Sequence, residues 1–218
     1  MDNAVALVQA YLRLNGYLTV SEHPVIGRHG TGFRIMTDLD ILAVRFPNSG
    51  DALGGRPDLP EAPVGPDPML RVCGDRPDML IGEVKEGRAV LNAAATNPGV
   101  VRAALLRFGC CGSHDLEPAV RRLLERGTAD LANGHRVRLV AFGTGMPDRV
   151  HHRYLVITLG RCLEYLTAYV RDNWDVVRHT ESKDPALGML MLLEKIRHAA
   201  EASDSGGPAV LPQPLLKG

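Results

Sequence analysis

Two β-branched, apolar runs interrupted by charge constrain this chain more than anything else in it. Phe33 to Phe46 contains Asp38-Leu39-Asp40, and Asp78 to Glu86 contains Glu83-Val84-Lys85. Side chains alternate across a strand, so in the first run Arg34, Met36, Asp38, Asp40, Leu42 and Val44 are expected on one face, with Ile35, Leu39, Ile41 and Ala43 on the other. In the second run Ile81, Glu83 and Lys85 share a face opposite Leu80, Gly82 and Val84. Asp40 leads directly into Ile41-Leu42-Ala43-Val44, and Glu83 follows Met79-Leu80-Ile81. A charge buried in such a run is costly unless it is paired or ligates a metal. If the two strands are neighbours, Asp40, Glu83 and Lys85 converge over the distance at which hard oxygen ligands gather Mg²⁺. The plainer alternative is that Glu83 and Lys85 form a solvated same-face pair of little energetic consequence, with Asp38 an ordinary turn residue.

The chain has 218 residues, enough for one substantial core, and a single α/β domain over residues 1–200 is expected. Hydrophobic residues at 45% and charged residues at 23% leave room for a packed interior with a solvated surface. No early charged-then-apolar leader and no apolar run of membrane-spanning length is present, so neither secretion nor membrane insertion is expected and a cytoplasmic setting fits. The four cysteines, Cys73, Cys110, Cys111 and Cys162, form no CxxC pair and no zinc spacing. Cys110-Cys111 reads either as a redox pair or as buried thiols. The formal net charge is zero, although Arg102, Arg107, Arg121, Arg122, Arg126, Arg136 and Arg138 crowd the middle third. Those arginines read equally as a basic face for phosphates or as solvated helix positions.

Apolar residues at Ala4, Leu7, Val8, Tyr11 and Leu14 predict an amphipathic helix over 3–15, stopped by Gly16. Tyr17 to Ile26 predicts a strand, and Gly27 to Gly32 a turn into the Asp38/Asp40 strand. Residues 47–69 hold six prolines and four glycines and predict a long surface insert. The stretch from Gly87 to Thr96 is ambiguous. Asn97-Pro98 predicts the N-terminus of a helix reaching about Phe108, and a second helix is expected over Asp115–Arg126, ending at Gly127. Val137–Phe142 and Tyr154–Leu159 predict strands, and helices are expected at about Arg161–Asp172 and from Asp184-Pro185 to roughly Ala200. A flexible tail is expected over 203–218. This order predicts an α/β (α+β) three-layer sandwich, a central mixed β-sheet flanked by helices.

On these residues the chain resembles the PD-(D/E)xK nuclease-like superfamily, whose core is a helix, three strands, a helix and a further strand. Its signature is an aspartate on the second strand followed by Glu-x-Lys on the third. Asp40 matches the aspartate, Asp38 falls where some members carry a second acid, and Glu83 and Lys85 match the Glu-x-Lys pair. Leu14-Asn15-Gly16-Tyr17 is similar to the junction after the first helix in the Holliday junction resolvase-like branch. The ordered match covers about residues 1–110, with 137–142 as the next core strand. Two departures stand out. The first helix carries no acid beyond Asp2, Gln9 being its nearest polar residue and Glu22 a substitute from the first strand, and the insert is longer than the usual hairpin.

The resemblance implies a restriction endonuclease-like core and metal-dependent hydrolysis of DNA. Asp40, Glu83 and the Val84 backbone carbonyl would hold Mg²⁺ or Mn²⁺, with Asp38 or Glu22 as further acids and Lys85 as the catalytic ammonium. Arg102 and Arg107 are candidates for contact with DNA, and a homodimer or a partner protein is left open. The departures keep a second reading alive, a catalytically inactive nuclease-fold module serving nucleic-acid binding or protein assembly. His114, His135, His151, His152 and His179 show no i, i+4 ligand spacing, and Trp174, Tyr165 and Tyr169 read either as a base-stacking set or as core aromatics.

Overall fold

A computed structural model of the chain describes residues 2–49, 65–148 and 153–205. It is an α/β fold built on a mixed six-stranded sheet. Helix α1 (Asn3–Leu14) starts where Asp2 Oδ1 accepts the Ala4 N–H at 2.8 Å, an N-cap that satisfies one of the helix's free donors. The chain then forms β1 (Leu18–His29), β2 (Gly32–Arg45), β3 (Asp78–Arg88), α2 (Pro98–Phe108), α3 (Ser113–Arg126), β4 (Thr128–Asp130), β5 (Arg136–Gly145), β6 (Leu155–Thr158), α4 (Leu159–Asp172), α5 (Trp174–Val177) and α6 (Pro185–Ser205). β1, β2 and β3 form an antiparallel meander, and β5 then pairs parallel with β3. On the far edge of β5, β4 pairs antiparallel with Arg136–Arg138 and β6 parallel with Val140–Gly143.

Each face of the sheet has its own core. Ile41, Ala43, Leu80, Val84, Val140 and Phe142 pack against Val8, Tyr11 and Leu12 of α1 and Cys162, Leu166 and Tyr169 of α4. Leu42, Met79, Ile81, Val137 and Leu139 pack against Val101 and Leu105 of α2 and Val120 and Leu123 of α3. The alternation expected for β3 therefore holds: Met79 and Ile81 face α2, and Leu80 and Val84 face α1. For β2 it fails in one place. Leu39 joins the α2-side core with Leu42, while Ile41 and Ala43 join the α1 side, so the pleat slips between Leu39 and Ile41.

The cause lies opposite. The β1–β2 ladder steps from Ser21↔Ile41 to His23↔Leu39, skipping Glu22 and Asp40, and Glu22 has a left-handed backbone with φ of 52°. The expected turn over 27–32 is also narrower than its glycines suggest. Gly27 lies in β1 and Gly32 in β2, and only Gly30 and Thr31 connect the strands, with Gly30 supplying the φ of 60° that a tight hairpin turn needs. The helix expected to end near Ala200 continues to Ser205. Of the insert over 47–69 and the tail over 203–218, the parts at 50–64 and 206–218 lie outside the described residues, as do His151 and His152. Two elements too short to show a period, β4 and α5, have no counterpart in the sequence pattern. No helix among the described residues is long and apolar enough to cross a membrane.

The end of β3 remote from Glu83 is locked by charge. Asp78 is completely buried, and its Oδ1 accepts from Arg136 Nε and Arg138 Nε, each at 3.0 Å. Its Oδ2 accepts from the Tyr17 hydroxyl at 2.6 Å and from Arg138 Nη2. The same guanidinium groups reach the Leu70 carbonyl at 2.7 Å and the Arg71 carbonyl at 2.8 Å. Two arginines of the basic middle third are therefore internal staples that join β3, β5, the start of β1 and the segment before β3. The end of the insert is fastened likewise: Asp67 accepts from Tyr11 at 2.8 Å, from Arg161 at 2.9 Å through both carboxylate oxygens, and from the Met69 N–H at 3.0 Å.

Removing one member of a buried ion pair leaves the other charge buried without compensation. Asp78→Ala is expected to lower the free energy of unfolding by about 3–5 kcal/mol, measured by urea titration. A loss under about 1 kcal/mol would show that Arg136 and Arg138 do not depend on it.

Candidate functional site

Asp40, Glu83 and Lys85 meet where β2 leaves β3. Their ladder runs from Arg45↔Asp78 to Ile41↔Gly82 and ends there. Beyond it the Val84 N–H is taken by a side chain, donating to Asp40 Oδ2 at 2.8 Å. A residue's N–H and C=O leave a strand along the same edge, so the Val84 carbonyl also faces the Asp40 side. β3 continues alongside β5, with Glu83↔Ala141, Val84↔Phe142 and Lys85↔Gly143 in register, and this support fixes where Glu83 and Lys85 project.

Glu83 is 3% exposed, and two donors converge on its Oε1: the Lys85 ammonium, and the Asn92 amide at 2.5 Å. Asn92 is held in turn, since its Oδ1 accepts the Ala95 N–H at 2.6 Å. That residue sits in the stretch from Gly87 to Thr96 whose structure is ambiguous in the sequence, and no spacing there ties it to Glu83. Among the described residues no hydrogen bond reaches Glu83 Oε2 or Asp40 Oδ1, so each carboxylate keeps one oxygen open.

Both carboxyl groups are pushed above their ordinary values. For Asp40 burial is the main cause, opposed by the Val84 N–H and the Lys85 charge and reinforced by the charges of Asp2 and Glu22. For Glu83 burial again leads, the Lys85 hydrogen bond opposes it and the Asp40 charge adds to it. Burial alone would lower the Lys85 ammonium, but the hydrogen bond and charge of Glu83, with the charge of Asp40, hold it above the usual lysine value. The site thus holds two close acids with one ammonium between them, and the negative charge is under-compensated. A hard cation fits such a donor set, because Mg²⁺ is commonly held through one or two carboxylates and keeps several waters. Among the described residues no group of three or more His, Cys, Asp or Glu side chains comes together as a metal-binding cluster. Asp2 and Glu22 therefore act on Asp40 as neighbouring charges.

The other sequence candidates are placed elsewhere. Asp38 is exposed, pairs with Pro24 of β1 and lies on the far side of the pleat slip from Ile41, so common strand parity does not carry it to Asp40. Arg102 binds Glu117 of α3 through two hydrogen bonds, at 2.6 and 2.8 Å, and Arg107 is exposed near the end of α2. Burial, with the neighbouring Cys111, raises the Cys110 thiol to about 12, which keeps it protonated and unreactive near neutrality. Tyr165 and Tyr169 are buried in the α1-side core, and Trp174 stacks on His198 with ring centroids 4.4 Å apart.

No family model matches this chain, and no curated protein or solved structure matches it. What the site can do therefore follows from its own residues.

Because the folded-state pKa of Asp40 lies above the unfolded value, its ionised form weakens the fold, and that cost grows as pH rises through the folded pKa. Asp40→Asn keeps an acceptor for the Val84 N–H and removes the charge. In metal-free buffer it is expected to melt higher than the wild type at pH 7, with the gap closing below about pH 4, where aspartate is protonated in the unfolded chain as well. A variant that melts lower at pH 7 would show that the carboxylate is net stabilising.

Proposed function

We propose that this chain is a metal-dependent nuclease of the PD-(D/E)xK type, with a restriction endonuclease-like core, hydrolysing phosphodiester bonds in DNA. The observation that carries the reading is the junction of Asp40, Glu83 and Lys85 at the divergence of β2 and β3, with both carboxyls raised and the lysine charged. The sheet order, an antiparallel meander followed by a parallel strand after a helical crossover, agrees with the core that the signature implies. Asp40, Glu83 and the Val84 carbonyl would hold Mg²⁺ or Mn²⁺. When bound, the ion supplies Lewis-acid stabilisation of charge on a phosphate oxygen and eases deprotonation of water near neutral pH.

The chain's own residues do the rest. The open oxygens of Asp40 and Glu83 form the cation-facing surface. Asn92 holds the Glu83 carboxylate in orientation through Oε1 and leaves Oε2 free. Lys85 presents a compact charge that neutralises negative charge developing on the scissile phosphate and orients the attacking water. Its raised pKa keeps it an ammonium, so it serves as an electrostatic group rather than as a general base at neutral pH. The half-buried floor limits bulk water around the charges and strengthens their interaction.

Asp40→Asn, Glu83→Gln and Lys85→Ala are each expected to lower Mg²⁺-dependent cleavage of plasmid and oligonucleotide DNA by at least about 100-fold, comparable to removal of one group that stabilises transition-state charge. Circular dichroism should show the same fold in all three. Wild type that cuts nothing in Mg²⁺ or Mn²⁺ but still binds DNA would favour the inactive binding module. Cleavage that survives all three substitutions would place the chemistry elsewhere.

A further inference from the structure

β2 belongs to the sheet only as far as Ile41. From Asp40 outward it pairs with β1 alone, and the two strands run on as a ribbon whose base is the candidate site. The eight residue steps from Asp40 to Gly32 span about 26 Å at the usual strand rise. A register shift interrupts the ribbon between Val25 and Ile26: Val25 pairs with Thr37 and Ile26 with Ile35, leaving Met36 as the extra residue of a bulge. Bulges bend and twist a strand pair and re-aim what lies beyond them. Gly27 leaves room for the Met36 side chain, since a Cβ there would lie 2.3 Å from the Met36 sulfur.

Past the bulge, cross-strand partners share a face. Ile26 and Ile35 lie together, as do Arg28 and Phe33, while Arg34 opposite Gly27 points to the other face. None of this is covered: Phe33 is 74% exposed, Ile26 63% and Ile35 62%. Beyond Glu22 and Asp38 at the ribbon's base, the segment from His23 to Thr37 carries two arginines, two histidines and no acidic residue. Neither Arg28 nor Arg34 has an ion-pair partner among the described residues. An exposed apolar strip with arginine on both faces needs an occupant that is anionic and offers apolar surface. A second copy of the chain meets the apolar requirement but would set the same arginines against each other across a two-fold axis, an unfavourable arrangement. A nucleic acid duplex meets both, with phosphates for the arginines and base edges for the apolar side chains. A two-stranded ribbon is an element that the major groove, about 12 Å wide, can admit.

We propose that the β1–β2 ribbon beyond Asp40 is a docking arm for duplex DNA. Arg28 and Arg34 take phosphates, Phe33, Ile26 and Ile35 lie against the bases, and the bulge at Met36 sets the angle that brings a backbone to the site at the ribbon's base. The choice of DNA as occupant rests on the nuclease reading. The arm and the site are nonetheless separable, because the arm binds through residues that touch neither carboxylate.

The test is binding of a fluorescent 30-base-pair duplex in EDTA, followed by anisotropy across a salt series, with light scattering on the same samples. Arg28→Glu/Arg34→Glu should weaken binding at least ten-fold and lower the magnitude of the logarithmic salt slope by about two, one for each phosphate that the arginines no longer neutralise. Phe33→Ser should weaken binding several-fold with an unchanged slope, and Asp40→Asn/Glu83→Gln, which removes two negative charges beside the phosphate path, should bind at least as tightly as the wild type. All the altered arm side chains are exposed, so the variants should fold. Wild-type affinity in both arm variants would overturn the proposal even if Mg²⁺-dependent cleavage is present, as would loss of affinity only alongside dissociation of an oligomer, or no duplex binding by the wild type. Arm-dependent binding by a wild type that cleaves nothing would uphold the arm and remove the nuclease reading.

Discussion

The hydrogen bond from the Val84 N–H to Asp40 Oδ2 organises this molecule. A backbone donor at the end of a ladder must find an acceptor, and here it takes a carboxylate instead of the next carbonyl of β2. That exchange lets β2 part from β3. It brings an acid beside Glu83 and Lys85, and it releases the distal halves of β1 and β2 as a free ribbon. The left-handed Glu22 and the slip in the pleat at Asp40 fall at the same step of the ladder, where β2 loses β3 and keeps β1 alone.

The two ends of β3 treat charge in opposite ways. At its start Asp78 is surrounded by two guanidinium groups and a phenol, every charge has a partner, and the arrangement ties β1, β3 and β5 together. At the other end Glu83 and Asp40 share one ammonium, and burial raises both carboxyl groups. The first arrangement is what a buried charge needs in order to support a fold. The second retains uncompensated negative charge beside open carboxylate oxygens, a common property of sites that bind a cation or carry out proton chemistry. The Asp78 end, reinforced where Asp67 accepts from Tyr11 of α1 and Arg161 of α4, gives the Glu83 end a fixed frame.

Much of this was legible in the sequence where a single physical rule acted alone. The faces of β3 follow period two because β5 pairs with it without a break from Asp78 to Lys85 and β2 from Asp78 to Gly82. The start of α2 follows from Asn97-Pro98 and the end of α3 from Gly127, whose backbone preferences are local, whereas α3 begins at Ser113, two residues before the expected Asp115. The meeting of Asp40, Glu83 and Lys85 was legible because parity and neighbouring strands suffice to bring them together. What was not legible depends on tertiary context. Period two gave no warning of the slip at Asp40, which arises across the ladder at Glu22, and so Asp38 was expected beside Asp40. Gly27 looked like a turn residue because its role, making room for Met36, lies on the other strand. Arg136 and Arg138 looked like part of a basic face, although their spacing of two on a strand beside Asp78 was a signal for a shared buried partner. Asn92 carried no pattern that tied it to Glu83.

On the proposed function, the Asp40–Glu83 pair holds a divalent cation beside a charged lysine. Isothermal titration of Mn²⁺ into the wild type and into Asp40→Asn/Glu83→Gln addresses it directly, without a choice of nucleic acid substrate. Saturable binding near one ion per chain is expected in the wild type, competed by Mg²⁺ and lost in the double variant. No binding by the wild type, or equal binding by the double variant, would contradict it.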